Sequence, residues 1–145
     1  MSKSDTILLA EDDDNDAFLL RTALSKAGIA NPVAHVHNGD DAFHYLTGDG
    51  AFSDPAKYPF PCLLITDLNM PRLSGFDLLA RAKTILESKK LPAIVLSASM
   101  ADSDKQRSFE LGARAYYVKP SDLRDLIALA YDLKQSWLAP VTGRP

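Results

Sequence analysis

The sequence lacks several features that whole classes of protein require. Cys62 is the only cysteine among 145 residues, which excludes an intrachain disulfide framework and a zinc site built from several cysteines. No apolar run approaches the ~20 residues of a membrane span, and the apolar stretch near the N-terminus is too short for a signal peptide. A net charge of −3 gives no indication of a nucleic-acid partner. These limits leave one soluble domain, expected in the cytoplasm.

Short apolar runs alternate with segments of helical spacing along the chain. Most of the runs are unbroken, which is typical of strands covered on both faces. They lie at 7–10, 33–36, 62–65, 93–96 and 115–118. The helical segments lie at 14–27, 39–47, 76–88, 102–111 and 121–138. Strict alternation predicts an α/β fold, a doubly wound five-stranded parallel sheet with helices on both faces. We assign residues 5–138 to this domain and 139–145 to a C-terminal tail.

The connection DGAFSDPAKYPFP, residues 49–61, is longer than connections in α/β units usually are. Loops of this length are often functional. It could equally be a surface loop closed by its prolines, with Phe52, Tyr58 and Phe60 covering the edge of the sheet. The sequence leaves both interpretations open.

Polar residues follow the predicted strands at their carboxyl ends, which is where open parallel sheets bind ligands. They are Glu11 and Asp12, Asp67 and Asn69, Ser97, and Lys119. Two carboxylates ~4 Å apart repel by ~4 kcal/mol at an effective dielectric constant of ~20, so converging carboxylates should share a proton or bind a cation. An all-oxygen set suits Mg²⁺. A carboxylate can also become an aspartyl phosphate, with a lysine beside the phosphoryl group. The set therefore predicts metal-assisted phosphoryl transfer onto Asp67.

Each of these residues also has an ordinary structural interpretation. The acidic run at 11–16 could be a solvated helix start, and Asp67 could be a turn residue before Pro71. The run also imitates the opening of an EF-hand calcium loop. Ala17 and Ala23 occupy the required glycine and glutamate positions, which excludes that site. The polar residues of the predicted site all fall directly after successive strands, and this shared position favours phosphoryl transfer over the separate structural interpretations.

Four motifs, ILLAEDD, LLITDLNMPRLSG, VLSAS and GARAYYVKP, resemble those of the response-regulator receiver domain. The resemblance covers nearly the whole chain and implies a flavodoxin-like fold with strand order 2-1-3-4-5. By position, it implies that Asp67 is the phosphoacceptor. It also implies that Asp12 is a direct ligand of Mg²⁺, that Glu11 acts largely through water, and that Asn69 lends its backbone carbonyl.

The same resemblance implies a two-state switch. Ser97 would be the switch hydroxyl and Tyr116 the switch aromatic, which moves inward when phosphorylation draws Ser97 towards the phosphate. Lys119 would bind the phosphate, and the Lys119–Pro120 bond would be cis. Gly75 is expected to meet a backbone requirement in the loop after the acceptor.

The resemblance implies a sensor histidine kinase as the phosphate donor, and a signalling switch with at most slow autodephosphorylation rather than an enzyme. The long loop and the segment KQSWLAPV are similar to stand-alone regulators that serve bacterial phytochrome-type kinases. We expect no output domain after residue 138, so a downstream protein or phosphotransfer partner should read the face formed by helix 102–111, strand 115–118 and helix 121–138. The apolar arc of that last helix spans roughly 200°, more than packing on a sheet requires, which predicts a homodimer through this face.

Two other functions share part of this chemistry. Phosphatases of the aspartate-nucleophile type usually carry an acidic residue two positions after the nucleophile, where this chain has Asn69. An amide cannot transfer a proton, so turnover should be slow. A degenerate receiver used only as a scaffold would not need Glu11, Asp12, Asp67 and Lys119, and all four are present.

Overall fold

The computed structural model describes residues 4–138, and its five strands form one parallel sheet. The strands are β1 (Ile7–Ala10), β2 (Val33–Val36), β3 (Leu63–Thr66), β4 (Ala93–Ser97) and β5 (Ala115–Val118). Their order is β2-β1-β3-β4-β5, and every neighbouring pair is parallel. The predicted flavodoxin-like α/β fold and its strand order are confirmed. The tail at 139–145 lies outside the described residues.

Six α-helices connect and flank the strands. They are α1 (Asp14–Lys26), α2 (Gly39–Thr47), α3 (Gly75–Arg81), α4 (Lys83–Ser88), α5 (Asp102–Glu110) and α6 (Leu123–Leu133). A π-helical turn, Lys134–Leu138, continues α6. The helix predicted at 76–88 is interrupted at Ala82, whose ψ of 2° ends α3. Because this segment forms two helices, α3 and α4, the face expected to carry output is numbered α5-β5-α6. Within residues 4–138, no helix combines the length and apolar character needed to cross a membrane.

The core lies on both faces of the sheet, because successive strand residues point in opposite directions. Leu8, Leu64 and Val95 pack with α2, α3 and α4 on one face. Ile65 and Ile94 pack with α1 and α6 on the other. All residues of β1, β3 and β4 are buried, which explains their unbroken apolar runs.

Hydrogen-bonded caps set where the helices begin, and thus where the loops at the carboxyl ends of the strands finish. The side chains of Asp13, Asn38, Ser74 and Asp122 each accept a backbone N–H in the first turn of α1, α2, α3 and α6. The cap at Asp13 leaves only three residues between β1 and α1. Glu11 and Asp12 are therefore held at the end of the sheet.

Gly75 is needed for close packing rather than for a special backbone angle. A Cβ atom at this position would lie 2.1 Å from the backbone oxygen of Asp67. The Gly75 N–H also donates to the Leu68 carbonyl at 2.9 Å. Its φ is not among the positive values, so the expected backbone requirement is corrected to a steric one. The start of α3 thereby packs directly against the loop that carries Asp67.

The long connection 49–61 covers the edge of the sheet with aromatic side chains. It includes a short 3₁₀ helix, Gly50–Phe52. The ring of Phe52 lies 5.4 Å from that of Tyr45 and 5.1 Å from that of Tyr58. The Tyr45 hydroxyl donates to the Pro59 carbonyl at 2.9 Å. These contacts support the covering interpretation of the loop.

The expectation of a cis peptide bond is wrong. No peptide bond within residues 4–138 is cis, so Lys119–Pro120 is trans. The trans isomer before proline is favoured by about 0.5–1 kcal/mol unless local contacts select the other form. The backbone N–H of Lys119 donates to the Ser97 carbonyl at 2.8 Å, which continues the β4–β5 ladder up to the proline.

Most of the wide apolar arc of α6 is used within the chain. Leu126, Ala130 and Leu133 are buried, and α6 packs mainly on α1. Five further apolar residues of this segment are partly buried against the same core: Leu123, Ile127, Leu129, Trp137 and Leu138. Tyr131 is 52% exposed. The arc is wide because α6 contacts both the sheet and a neighbouring helix.

Candidate functional site

A lysine joins two carboxylates at the carboxyl ends of β1, β3 and β5. The Lys119 Nζ lies 2.7 Å from Glu11 Oε1 and 2.9 Å from Asp67 Oδ2. The three side chains are 17%, 5% and 9% exposed, respectively. Buried charges need such pairing because desolvation penalises each of them. The structure therefore brings together three of the charged residues predicted for the site, Glu11, Asp67 and Lys119.

Asp16 is a fourth member of this cluster, which the sequence interpretation missed. Its Oδ2 accepts from Lys119 Nζ at 3.0 Å. Asp16 lies in the first turn of α1, four residues before the buried Leu20, so both point towards the sheet. That spacing is a readable signal, but from the sequence Asp16 is interpreted only within an acidic run that could be a solvated helix start or imitate a calcium loop.

The pKa values of Glu11 and Lys119 are both raised, but for different reasons. Burial dominates for Glu11, and pairing with carboxylates dominates for Lys119. Burial raises the pKa of Glu11 from 4.5 to about 7, against the lowering effect of Lys119. For Lys119, burial acts to lower the pKa, but the hydrogen bonds that its ammonium donates to Glu11, Asp67 and Asp16 outweigh burial and raise the pKa above its usual range. The lysine is therefore held in its charged form while its carboxylates compete for it.

Glu11, Asp12 and Asp67 fit a divalent cation that prefers oxygen ligands. Each offers a carboxylate oxygen, and these oxygens all lie within 4.8 Å of one another. Asp12 is exposed while the other two are buried, so a cation here would keep contact with water. Partial hydration and carboxylate ligands are what Mg²⁺ prefers. The donor set is thus compatible with Mg²⁺.

The backbone that follows β3 orients the Asp67 carboxylate. Its Oδ1 accepts the Leu68 N–H at 2.7 Å and the Asn69 N–H at 3.4 Å. Its Oδ2 faces Lys119. Both oxygens of Asp67 are therefore held by donors, which fixes the carboxylate at the end of the strand.

A chain of hydrogen bonds runs from the end of β4 to α5. Ser97 is fully buried, and its Oγ accepts the Ser99 N–H at 3.2 Å. The Tyr116 hydroxyl donates to the Ser99 carbonyl at 2.9 Å. The Ser99 Oγ donates to Asp104 Oδ2 on α5 at 2.6 Å. Ser99 thus connects the two predicted switch residues, a role that its position in the VLSAS motif did not reveal.

Comparison with known proteins shows relatives that share both sequence and fold. The response regulator receiver domain model matches residues 7–131. Response regulator Rcp1 of Synechocystis sp. is 31% identical over 136 residues, which cover 94% of this chain and 90% of that protein. The crystal structure of the Mn²⁺-bound form of Rcp1 has a TM-score of 0.81 at 30% identity and covers 97% of this chain and 99% of that one.

Two further solved structures are similar over nearly their whole length. The phosphorylated cyanobacterial phytochrome response regulator RcpA has a TM-score of 0.83 at 29% identity, with 96% of each chain covered. Response regulator RPA3017, described in red light signalling of R. palustris, has a TM-score of 0.86 at 30% identity and covers 92% of this chain and 94% of that one. The chain belongs to the response regulator receiver domain family of two-component signalling.

Proposed function

We propose that this protein is a phosphoacceptor switch of the cytoplasm that takes a phosphoryl group from a sensor histidine kinase onto Asp67. The observation that carries the proposal is the Lys119 ammonium, which lies within 3.0 Å of carboxylate oxygens of Glu11, Asp16 and Asp67. A positive charge placed against the acceptor carboxylate suits an incoming phosphoryl group. The relatives Rcp1 and RcpA are both response regulators.

In the proposed transfer, an Asp67 carboxylate oxygen attacks the phosphorus of a kinase phosphohistidine. The O–P bond forms as the P–N bond breaks, and the electron pair of that bond returns to the imidazole nitrogen. Lys119 offsets the negative charge of the phosphoryl oxygens. Glu11, Asp12, Asp67 and the Asn69 carbonyl would hold Mg²⁺, which when bound supplies positive charge to those same oxygens.

The hydrogen bonds around Ser99 supply a route from the phosphoryl group to the α5-β5-α6 face. We assign to Ser97 the donation of a hydrogen bond to a phosphoryl oxygen, which changes its contact with the Ser99 N–H. Tyr116 and Asp104 are both bonded to Ser99. A shift of Ser99 therefore reaches β5 and α5 together, as a two-state switch requires.

A phytochrome-type histidine kinase is the proposed donor. RcpA is described as a phytochrome response regulator, and it resembles this chain over 96% of the length of each. The proposed reader is a downstream protein or phosphotransfer partner at the α5-β5-α6 face. Slow autodephosphorylation fits the site better than phosphatase turnover, because the amide of Asn69 is not acidic and cannot act as a general acid.

A homodimer through the same face remains a prediction. Phe109 of α5 and Tyr131 of α6 are 49% and 52% exposed. Leu133 is fully buried, so its substitution would test folding rather than association. Sedimentation of wild type and Tyr131→Glu, with and without beryllofluoride and Mg²⁺, tests the dimer. A protein that is monomeric in every condition would rule out the homodimer, and only docking of a different partner at this face would remain.

Phosphorylation of Asp67 is tested by intact-mass spectrometry after treatment with acetyl phosphate and Mg²⁺. We expect one added phosphoryl group in wild type and none in Asp67→Asn. Asp77→Asn is a matched control, because Asp77 is an exposed aspartate of α3. Equal phosphorylation of Asp67→Asn and wild type would remove Asp67 from its proposed role. Rapid release of phosphate over many turnovers would favour the phosphatase.

A further inference from the structure

Two histidines and an aspartate meet beside the β1–α1 turn, outside the cluster around Lys119. His35 lies in β2 and His37 directly follows it, so the two side chains are on the same face of the sheet. That face is the one covered by α1, because Val33, two residues before His35, packs into the same core as α1. Asp14 is the first residue of α1. The edge strand and the helix start thus bring three metal-ligating side chains together.

The side chains are close enough to share one ion. The rings of His35 and His37 are 4.3 Å apart between centroids. The His37 Nε2 lies 2.6 Å from Asp14 Oδ1. One ligand atom from each of the three residues lies within 4.8 Å of the other two. Tetrahedral coordination with bonds of about 2.0–2.2 Å separates ligand atoms by roughly 3.3 Å. Small side-chain rotations would therefore reach this geometry.

A backbone contact prepares His35 for this role. Its Nε2 is 2.7 Å from the Glu11 carbonyl, and since a carbonyl can only accept, this nitrogen carries the proton. In that tautomer the lone pair available to a metal is on Nδ1. Histidines that bind metals usually donate their other N–H to such a carbonyl or carboxylate, which fixes the ring orientation.

We propose that Asp14, His35 and His37 form a Zn²⁺ site that is separate from the Mg²⁺ site. Imidazole nitrogens suit Zn²⁺ rather than Mg²⁺, which prefers oxygen. Three protein ligands leave one position for water, and Asp14 and His37 are both exposed to solvent. The Glu11 side chain faces Lys119, so only its backbone carbonyl contacts the proposed site. The proposal does not depend on phosphoryl transfer.

A second group of candidate ligands in the described residues, Asp40, Asp41 and His44, is less suitable. Asp40 already faces two guanidinium groups, with Arg72 at 3.0 Å and Arg81 at 3.8 Å. Their positive charges oppose a divalent cation there. That group also has a single histidine. His44, the third of the three histidines of the chain, therefore provides an internal control.

The test is calorimetric titration of untagged protein with Zn²⁺, first without Mg²⁺ and then in excess Mg²⁺. We expect one equivalent to bind, with affinity about tenfold or more weaker in His37→Gln and in His35→Gln. His44→Gln is expected to bind like wild type. Because His35 contacts the Glu11 backbone and His37 contacts Asp14, circular dichroism and the melting temperature verify the fold of both variants. His37 is the more exposed of the two histidines.

Three results would overturn the site. The first is absence of Zn²⁺ binding at tens of micromolar. The second is binding that both His35→Gln and His37→Gln retain at wild-type affinity. The third is binding that excess Mg²⁺ abolishes, which would place Zn²⁺ among Glu11, Asp12 and Asp67. Loss of phosphorylation in Asp67→Asn tests the proposed function independently of all three.

Discussion

Lys119→Met is the substitution that most directly tests the electrostatics of the site. It keeps a long side chain of similar volume but removes the charge. In wild type that charge lies 2.7 Å from Glu11, 2.9 Å from Asp67 and 3.0 Å from Asp16. The variant leaves two buried carboxylates with no cation, and Asp16, the more exposed of the three, loses its partner.

The magnitude follows from the burial of these groups. One unit-charge pair about 3 Å apart is worth roughly 5 kcal/mol at an effective dielectric constant of ~20, before desolvation is subtracted. Removing one partner of a buried pair typically costs about 3–5 kcal/mol. Protonation of Glu11 relieves part of this cost, since its pKa is already raised to about 7. We therefore expect a loss of about 3 kcal/mol at neutral pH in metal-free buffer, at the lower end of that range.

Mg²⁺ should offset about half of this loss. In the variant no lysine competes for Glu11 and Asp67, so we expect Mg²⁺ to bind about tenfold more tightly, a gain of about 1.4 kcal/mol. Bound Mg²⁺ then stabilises the variant by RT ln(1 + [L]/Kd), which exceeds the wild-type increment. Phosphorylation by acetyl phosphate should nevertheless be slower, because the phosphoryl group loses its lysine.

The assay is urea unfolding with a chelator and with saturating Mg²⁺, for wild type, Lys119→Met and the control Lys83→Met. Lys83 is an exposed lysine of α4, and its variant should behave like wild type. A Lys119→Met protein as stable as wild type in chelator would show that the lysine contributes no net stabilisation. Unchanged Mg²⁺ affinity would show that it does not compete with the cation.

Further predictions concern the other residues of the site. Asp12→Ala should weaken Mg²⁺ binding, measured by calorimetry, and raise the melting temperature of the metal-free protein, because carboxylate repulsion falls; unchanged affinity would remove Asp12 from the metal site. In metal-free buffer the raised pKa of Glu11 means that the folded state binds more protons than the unfolded state between pH 4.5 and about 7. Stability should therefore fall by roughly 3 kcal/mol as pH rises through this window, relative to Glu11→Gln, and parallel profiles would contradict the shift. Gly75→Ala should destabilise by about 1–3 kcal/mol in urea and slow phosphorylation, because its Cβ would meet the Asp67 backbone; a wild-type rate would show that the loop adapts.

The architecture could be predicted because its signal is repeated and local. Each strand of the buried sheet reads as an apolar run, and predicted and observed ends differ by at most one residue, as at β3 and β4. The break at Ala82 could not be predicted, because helical spacing continues across it. Exposure on α6 could not be predicted either, since a helical arc shows which residues are apolar but not how many elements cover them.

The site was predictable in part, for a related reason. Residues that directly follow strands are brought together by the sheet itself, and Glu11, Asp67 and Lys119 meet as the strand order requires. Asp16 and Ser99 act through side-chain directions that depend on helix and loop geometry. The position of Lys119–Pro120 in a motif suggested a cis bond, but the isomer depends on contacts that no short motif encodes.

In the proposed function, the arrangement around Lys119 lets one site respond to both a cation and a phosphoryl group. Three carboxylates, from Glu11, Asp16 and Asp67, contact a single lysine at the sheet edge, and a fourth, from Asp12, lies beside Glu11 and Asp67. One positive charge cannot neutralise them, and the raised pKa of Glu11 reflects that burial leaves it poorly compensated. Added positive charge therefore relieves repulsion that folding has already built in. In the proposed function, a cation that satisfies the carboxylates leaves Lys119 free to face a phosphoryl group on Asp67. Repulsion in the metal-free state thus favours the cation, and the cation and Lys119 together would favour the negatively charged phosphoryl group.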